Sequence, residues 1–266
     1  MTNAETALYR ARLWLLYHLP IMKEERFLGA TLLRIRAWLY TPLYLLLHPS
    51  RRNLEKVRLC HRLTPRYTMV SPRLLFAVYD LVEQTMRSGV PGGVVECGVW
   101  NGGSAAMMAV AVDHAGQERD FWLFDSFQGL PEPSESDPSA VRDFYFKGWN
   151  TGSPERVKSA WKMVGAPPSR LHIRAGWFDQ TFPREQLGDK IAVLHIDSDW
   201  YESVKLCLEA WYDQVSAGGV VIFNDYNQWR GTNKAVDEFF EERRVDVDLV
   251  PLGPIGAYFV KPEPAG

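Results

Sequence analysis

The stretch IAVLHIDSDWYES, Ile191–Ser203, decides the fold. It opens as an apolar run of strand length and then sets Asp197 and Asp199 one residue apart, just past the run's end. Carboxylates beside a buried strand are costly unless something compensates them. A second run, GGVVIFNDYNQW (Gly218–Trp229), repeats the arrangement and ends in Asn224 and Asp225. Short apolar runs alternating with helical segments indicate a mostly parallel sheet covered on both faces. In such a sheet, ligands bind beyond the carboxyl ends of the strands. The two runs therefore predict neighbouring strands whose tips share one polar, ligand-binding edge.

Working outward, GVVECG, DFWLFD and RLHIRAG read as further strands, and VDVDLVPL and GAYFVKP close the chain. The short link between the last two, through Gly253, Pro254 and Gly256, predicts an antiparallel edge pair. Helices are expected at Ser71–Gly89, along SAAMMAVAVDHAG, at Pro154–Val164, at Tyr201–Ser216 and at Thr232–Glu242. Ser71 is the expected N-cap of the first, with Pro72 at its first position. Gln128–Val141, rich in Pro, Ser and acid, reads as a mobile surface loop.

The 266 residues allow one large α/β domain, residues 67–266, and a helical extension, residues 1–66. The net charge of −2 carries no footprint of a nucleic-acid partner. Charge is unevenly spread: residues 1–66 hold 12 Lys/Arg and 4 Asp/Glu, the remainder 18 and 28. The basic, Leu- and Trp-rich extension is expected to be a lid, a dimer arm, or a segment on an anionic membrane surface. Its longest uncharged run, Ala37–Leu47, falls short of the roughly 20 residues that span a bilayer. Arg10 and Arg12 precede the apolar stretch WLLYHLP, but that stretch is short and no small-residue cleavage site follows, so no signal peptide is expected. Cys60, Cys97 and Cys207 are odd in number and widely spaced, which speaks against a disulfide framework or a zinc site. A cytoplasmic home, peripheral to the inner membrane face at most, is the expectation.

VVECGVWNGGSAAMMA (Val94–Ala109) has the form strand, glycine-rich turn, helix. Gly98, Gly102 and Gly103 allow close backbone approach, and Ser104 can cap the helix. The pattern is neither GxGxxG nor a P-loop. Glu96 at the strand end repels phosphate but suits a ligand with an ammonium group, such as S-adenosylmethionine (SAM). Asp125, ending the next strand, is placed to accept ribose hydroxyls. Trp177 and Phe178 in RAGWFDQTF offer apolar walls for adenine. The plainer reading of the turn is a tight βα corner.

Asp197, Asp199, Asn224 and Asp225 offer only oxygen ligands, which suits Mg²⁺, Mn²⁺ or Ca²⁺ rather than zinc. Asp197 is the expected proton acceptor for a metal-bound hydroxyl, with Asp199 in reserve. His195 reads as structural. Here too a plainer reading stands: Ser198 or Asp199 caps the helix near Tyr201, and Asp225 pins a turn.

The blocks YTMVSPRLL, VVECGVWNGGSA, WLFDSFQGLP, RAGWFDQTFP, LHIDSDWYES and GGVVIFNDYNQWRGTNKAVDEFF follow one another over residues 67–240. In that order they resemble the macrocin O-methyltransferase (TylF-like) family of SAM- and Mg²⁺-dependent sugar methylases. The resemblance implies a class I methyltransferase, Rossmann-like fold, a helical N-terminal lid and a homodimer. It implies SAM contacts at Glu96, Gly98 and Asp125, with Thr68, Met69, Cys97, Ser104, Ser126, Trp177, Phe178 and Asp197 beside them. It implies metal ligation by Asp197, Asn224 and Asp225, and a saccharide or glycoside acceptor. One departure stands out: the family's DDY triplet is here Asn224-Asp225-Tyr226. A neutral carbonyl replaces one carboxylate, so weaker metal affinity is expected. The alternatives are a catechol or phenol O-methyltransferase, and a SAM-binding module whose catalysis has decayed.

Overall fold

The computed structural model describes residues 26–188 and 190–263. Residues 1–25, with Arg10, Arg12 and WLLYHLP, lie outside the described residues. Three helices come first: α1 (Arg26–Leu47), α2 (Arg51–Leu63) and α3 (Pro72–Arg87). Strands and helices then alternate: β1 (Gly93–Cys97), α4 (Gly103–His114), β2 (Phe121–Asp125), α5 (Ser139–Arg142), α6 (Pro154–Met163), β3 (Leu171–Ala175), α7 (Phe178–Thr181), β4 (Ile191–Ile196), α8 (Tyr201–Trp211), β5 (Val215–Phe223) and α9 (Arg230–Arg243). β6 (Val250–Pro251) and β7 (Ala257–Val260) end the series.

The seven strands form one sheet in the order β3-β2-β1-β4-β5-β7-β6. β1 to β5 pair in parallel, while β7 runs antiparallel to both β5 and β6. The expected α/β class and antiparallel C-terminal edge are both present. The order reverses between β1 and β4, where diverging connections leave a crevice at the strand tips.

The strands are apolar on both sides because each face carries its own core. Val94, Val193, Val220 and Ile222 pack with α2, α3 and α4. Val95, Leu194, Val221 and Phe223 point the other way, against α8 and α9. Such alternation follows from the two-residue strand period. Each fully buried aliphatic contributes about 1.5–3 kcal/mol. Ser71 caps α3 as expected, its Oγ accepting from the Leu74 N–H, with Pro72 next. Val57, Leu59, Cys60 and Leu63 of α2 join the same core as α3.

Several local expectations are corrected. α4 begins at Gly103, and its N-cap is Gly102 in the left-handed region with no side-chain cap, so Ser104 lies inside the helix. α8 stops at Trp211 rather than Ser216, because β5 begins at Val215 to pair with Ile191. Of VDVDLVPL, Val250–Pro251 alone forms strand, paired with Tyr258 and Ala257. Its alternation is nonetheless used: Val245, Val247 and Leu249 pack on the second core while Asp246 and Asp248 are exposed.

Gln128–Val141 is tied down rather than free. The Trp200 indole donates to the Pro131 carbonyl (2.9 Å), and Asp137, buried, accepts from the Tyr201 N–H (3.0 Å). Its last residues enter α5 and help build a third, smaller core of Ala140, Val141, Trp149, Trp200 and Trp229.

Candidate active site

The site is assembled by three adjacent strand tips. The Asp197 N–H donates to the Cys97 carbonyl at the end of β1 (2.8 Å), and the Asn224 N–H donates to the Ile196 carbonyl at the end of β4 (2.9 Å). The ladders of the sheet thus continue one residue past each strand and bring residues 197, 224 and 225 together. The Asp197 side chain interacts directly with those of Asn224 and Asp225. Asp199 follows in the left-handed region (φ 59°), a conformation Asp tolerates better than most residues. Its N–H donates to Asp225 Oδ2 (3.3 Å), and its Oδ1 accepts from the Trp229 indole (2.6 Å).

Burial pushes all three aspartates well above the usual carboxylate range. For Asp197 the Asp199 and Glu96 carboxylates add to burial, opposed by the Asp225 and Asn224 side chains. For Asp199 the neighbouring Asp225 adds, and the Trp229 N–H opposes. For Asp225 the neighbouring Asp197 adds. Like charges crowded in a dry place favour the neutral forms unless a cation joins them.

Two cavities meet over this cluster. One, of about 420 Å³, is lined by Gly98, Asp125, Ser126, Trp177, Phe178, Gln180 and the strap residues Gly129 to Pro131. The other, of about 630 Å³, is lined by Thr68, Ser104, Asn224, Asp225 and Gln228 at one end and by Leu39, Tyr40, Leu252 and Ile255 elsewhere. Met69, Trp100, Asn150, Asp197 and Asp199 line both.

Most residues expected from the sequence line one of these two spaces; Glu96 and Cys97 line neither. Glu96 is fully buried beneath the cluster, its Oε1 2.9 Å from His195 Nδ1 and its Oε2 without a partner. Cys97 is buried against Cys207, and all three cysteines are free. Asp125 braces the glycine turn: its Oδ2 accepts from the Val99 and Trp100 N–H groups (2.7 Å each) and its Oδ1 from Phe127 (2.6 Å). Burial raises its pKa, opposed by those three donors. The helix-cap reading of Asp199 is corrected, since the α8 N-terminus has no side-chain cap from its own flank and Asp137 supplies one from a distance. Trp100, Asn150 and Gln228 were not singled out from sequence, and Trp100 and Asn150 share a positive φ.

The family model described as Macrocin-O-methyltransferase (TylF) matches residues 50–261. The chain belongs to the macrocin O-methyltransferase family. It is 32% identical to a demethyldecarbamoylnovobiocin O-methyltransferase of Streptomyces niveus over 73% of this chain and 75% of that protein. It is 30% identical to a mycinamicin III 3''-O-methyltransferase of Micromonospora griseorubida over 74% and 79%. Among solved structures, the O-methyltransferase NovP superposes with a TM-score of 0.68 at 30% identity, covering 74% of this chain and 83% of that one. The calicheamicin methyltransferase CalS11 shares the fold, with a TM-score of 0.63 at 22% identity over 91% and 96%.

As a member of this family the protein is a SAM-dependent O-methyltransferase. The smaller cavity has the chemistry such a cofactor needs: aromatic walls at Trp177 and Phe178, a carboxylate at Asp125, and glycine backbone at Gly98. Among the described residues, no three His, Cys, Asp or Glu side chains group as ion ligands by themselves. Beside Asp197 and Asp225, Asn224 has a buried Oδ1 with no hydrogen-bond partner.

Proposed function

We propose that the protein methylates a sugar hydroxyl of a glycoside whose remainder is apolar. The observation that carries this reading is the meeting of the two cavities at Asp197 and Asp199. The second cavity is polar where it touches the aspartates and apolar along Leu39, Tyr40, Leu252 and Ile255. A sugar fits the first character and an aglycone the second. The relatives named for novobiocin and mycinamicin precursors support the same substrate class.

Asp197, Asn224 and Asp225 would hold a hard divalent cation, and their all-oxygen set with one orphaned carbonyl suits Mg²⁺. Such an ion would polarise and orient a bound hydroxyl. Asp197 and Asp199 both face the two cavities, but the Asp197 side chain is engaged by Asn224 and Asp225, so the role of proton acceptor is assigned to Asp199. The acceptor oxygen bonds to the methyl carbon as the carbon–sulfur bond breaks, and the hydroxyl proton passes to Asp199. The products are the methyl ether and S-adenosylhomocysteine. Trp177 and Phe178 would supply apolar walls for the adenine, and Asp125 and Ser126 would supply polar groups for the ribose. Residues 67–266 carry this chemistry.

α1 serves a second copy. From Ala37 onward α1 is apolar on both faces: Ala37 and Thr41 are buried, while Trp38, Leu39, Leu43, Leu46 and Leu47 are exposed at helical spacing. A helix apolar all round is normally covered. No charged residue lies between Ala37 and Leu47, so the basic polar face of a membrane-surface helix is missing there. Among the described residues no helix is long and apolar enough to cross a membrane. A homodimer that Leu43→Glu with Leu46→Glu splits, in light scattering, is expected; flotation of the parent protein with anionic liposomes would instead favour a bilayer.

The central test is methyl transfer to glycoside acceptors by the parent protein, Asp197→Ala and a chelator-treated sample. Loss in both altered samples is expected. Full activity without metal would favour a phenolic acceptor, whose hydroxyl ionises readily. SAM binding by calorimetry without any turnover would point to decay at Asn224.

A further inference from the structure

Trp229 lies 30 residues from Asp199 in the chain, at the N-cap of α9, and is almost fully buried. Its indole N–H reaches Asp199 Oδ1 at 2.6 Å. That is short for an N–H donor. The same stretch holds the Asp199 backbone, because Thr232 Oγ1 donates to the Asp199 carbonyl (2.7 Å). Asp199 needs this support. Its φ of 59° is unusual for a residue with a side chain, and its carboxylate stands where the two cavities join.

The indole is itself locked. It meets the Trp200 ring edge-on (5.3 Å, 68°), and Trp200 meets Trp149 in the same manner (5.9 Å, 69°). Trp200 also donates to Pro131, in the strap that lines the smaller cavity. Phenylalanine would fill most of the same apolar space at 229 but could not donate. We infer that Trp229 is a positioning residue, aiming the Asp199 carboxylate at the acceptor oxygen through its indole N–H. The inference rests on the proposed role of Asp199.

The test is Trp229→Phe, which keeps the packing and removes the donor. A fall in kcat of about 10²-fold is expected, the scale set by misplacing a reacting group by about 1 Å. The KM values for SAM and acceptor, and SAM binding by calorimetry, should stay within about two-fold, a judgement scaled to retained ground-state contacts. A merely structural tryptophan would instead lower the melting temperature and weaken both binding steps together.

In an Asp199→Asn background, Trp229→Phe should cost little more, because the two changes remove the same function. An independent readout is the indole ¹⁵N–¹H resonance absent from Trp229→Phe; Asp199→Asn should shift it upfield. Trp229→Phe with unchanged kcat, or that resonance unmoved by Asp199→Asn, would overturn the inference. Unchanged turnover in Asp199→Asn alone would instead remove the role proposed for Asp199.

Discussion

Replacing Gly98 by alanine tests how the fold builds the site. Gly98 follows β1 with φ +88°, a region where an L side chain costs about 1–2 kcal/mol. An added Cβ would lie 2.7 Å from the Asp197 carbonyl carbon and closer still to its oxygen, inside any distance real Cβ atoms adopt. The atoms in the way are backbone, so the end of β4 must move on the order of 1 Å, at an overpacking cost of about 1–3 kcal/mol. Together these come to about 3 kcal/mol, or roughly 6–12 °C in Tm for a chain of this size. The residue displaced is Asp197, so kcat/KM should fall by about 10²-fold or more. Gly116→Ala is the control: its φ is +69°, but nothing lies within 4 Å of the added Cβ. It should lose about 1 kcal/mol and keep full activity. Thermal unfolding and transfer of labelled methyl from SAM measure both variants. If Gly98→Ala melted with the control and kept its activity within two-fold, the claim that β1 closes directly onto Asp197 would be wrong.

Asn224→Asp should tighten Mg²⁺ binding on the order of ten-fold by adding ligand charge. It should also lower the melting temperature in chelator, where a further carboxylate joins Asp197 and Asp225; calorimetry and melting with and without Mg²⁺ separate the two effects. Asp137→Ala leaves the Tyr201 N–H and the Ser134 donors unpaired, a loss of about 1–3 kcal/mol. It should weaken SAM binding more than acceptor binding, because the freed strap lines the smaller cavity. Cys60, Cys97 and Cys207 should resist iodoacetamide at pH 8 and react in denaturant, since all three are buried and burial pushes Cys60 up to about 11. The folded form then keeps a proton that the unfolded chain releases near the ordinary thiol value of 9.0, so this thiol's contribution to stability declines as pH rises from 9 toward 11. Mass spectrometry of labelled protein and urea unfolding across that range check both statements.

Features with a local period could be read from the chain. Apolar runs with acidic ends announced β4 and β5 and their shared edge, because strand pairing carries whatever follows one strand to the tip of the next. Serine before proline announced the start of α3. Features that depend on what lies opposite could not be read. The glycines after β1 suggested a ligand pressing on bare backbone, yet an added Cβ at Gly98 meets Asp197, and one at Gly103 meets Tyr67 and Thr68. Glu96 suggested a cofactor contact, but its nearest partner is His195 on the adjacent strand. The alternation in VDVDLVPL was real as a packing pattern, but β7 pairs only with its end.

The same distinction explains how the acidic loop is anchored. Pro, Ser and acid within Gln128–Val141 describe a segment with no core of its own, which on composition alone should move. Its order comes from groups distant in the chain: a backbone N–H at Tyr201 that needs an acceptor, an indole at Trp200 that needs one too, and apolar rings at Trp149 and Trp229 that need cover. Asp137 answers the first, Pro131 the second, and Ala140 with Val141 the third. A loop held this way closes one side of the smaller cavity while fixing the first turn of α8, which begins two residues after Asp199. The wall of the smaller cavity and the geometry of the acidic cluster are therefore coupled through one small aromatic core, and a change on either side should be felt on the other.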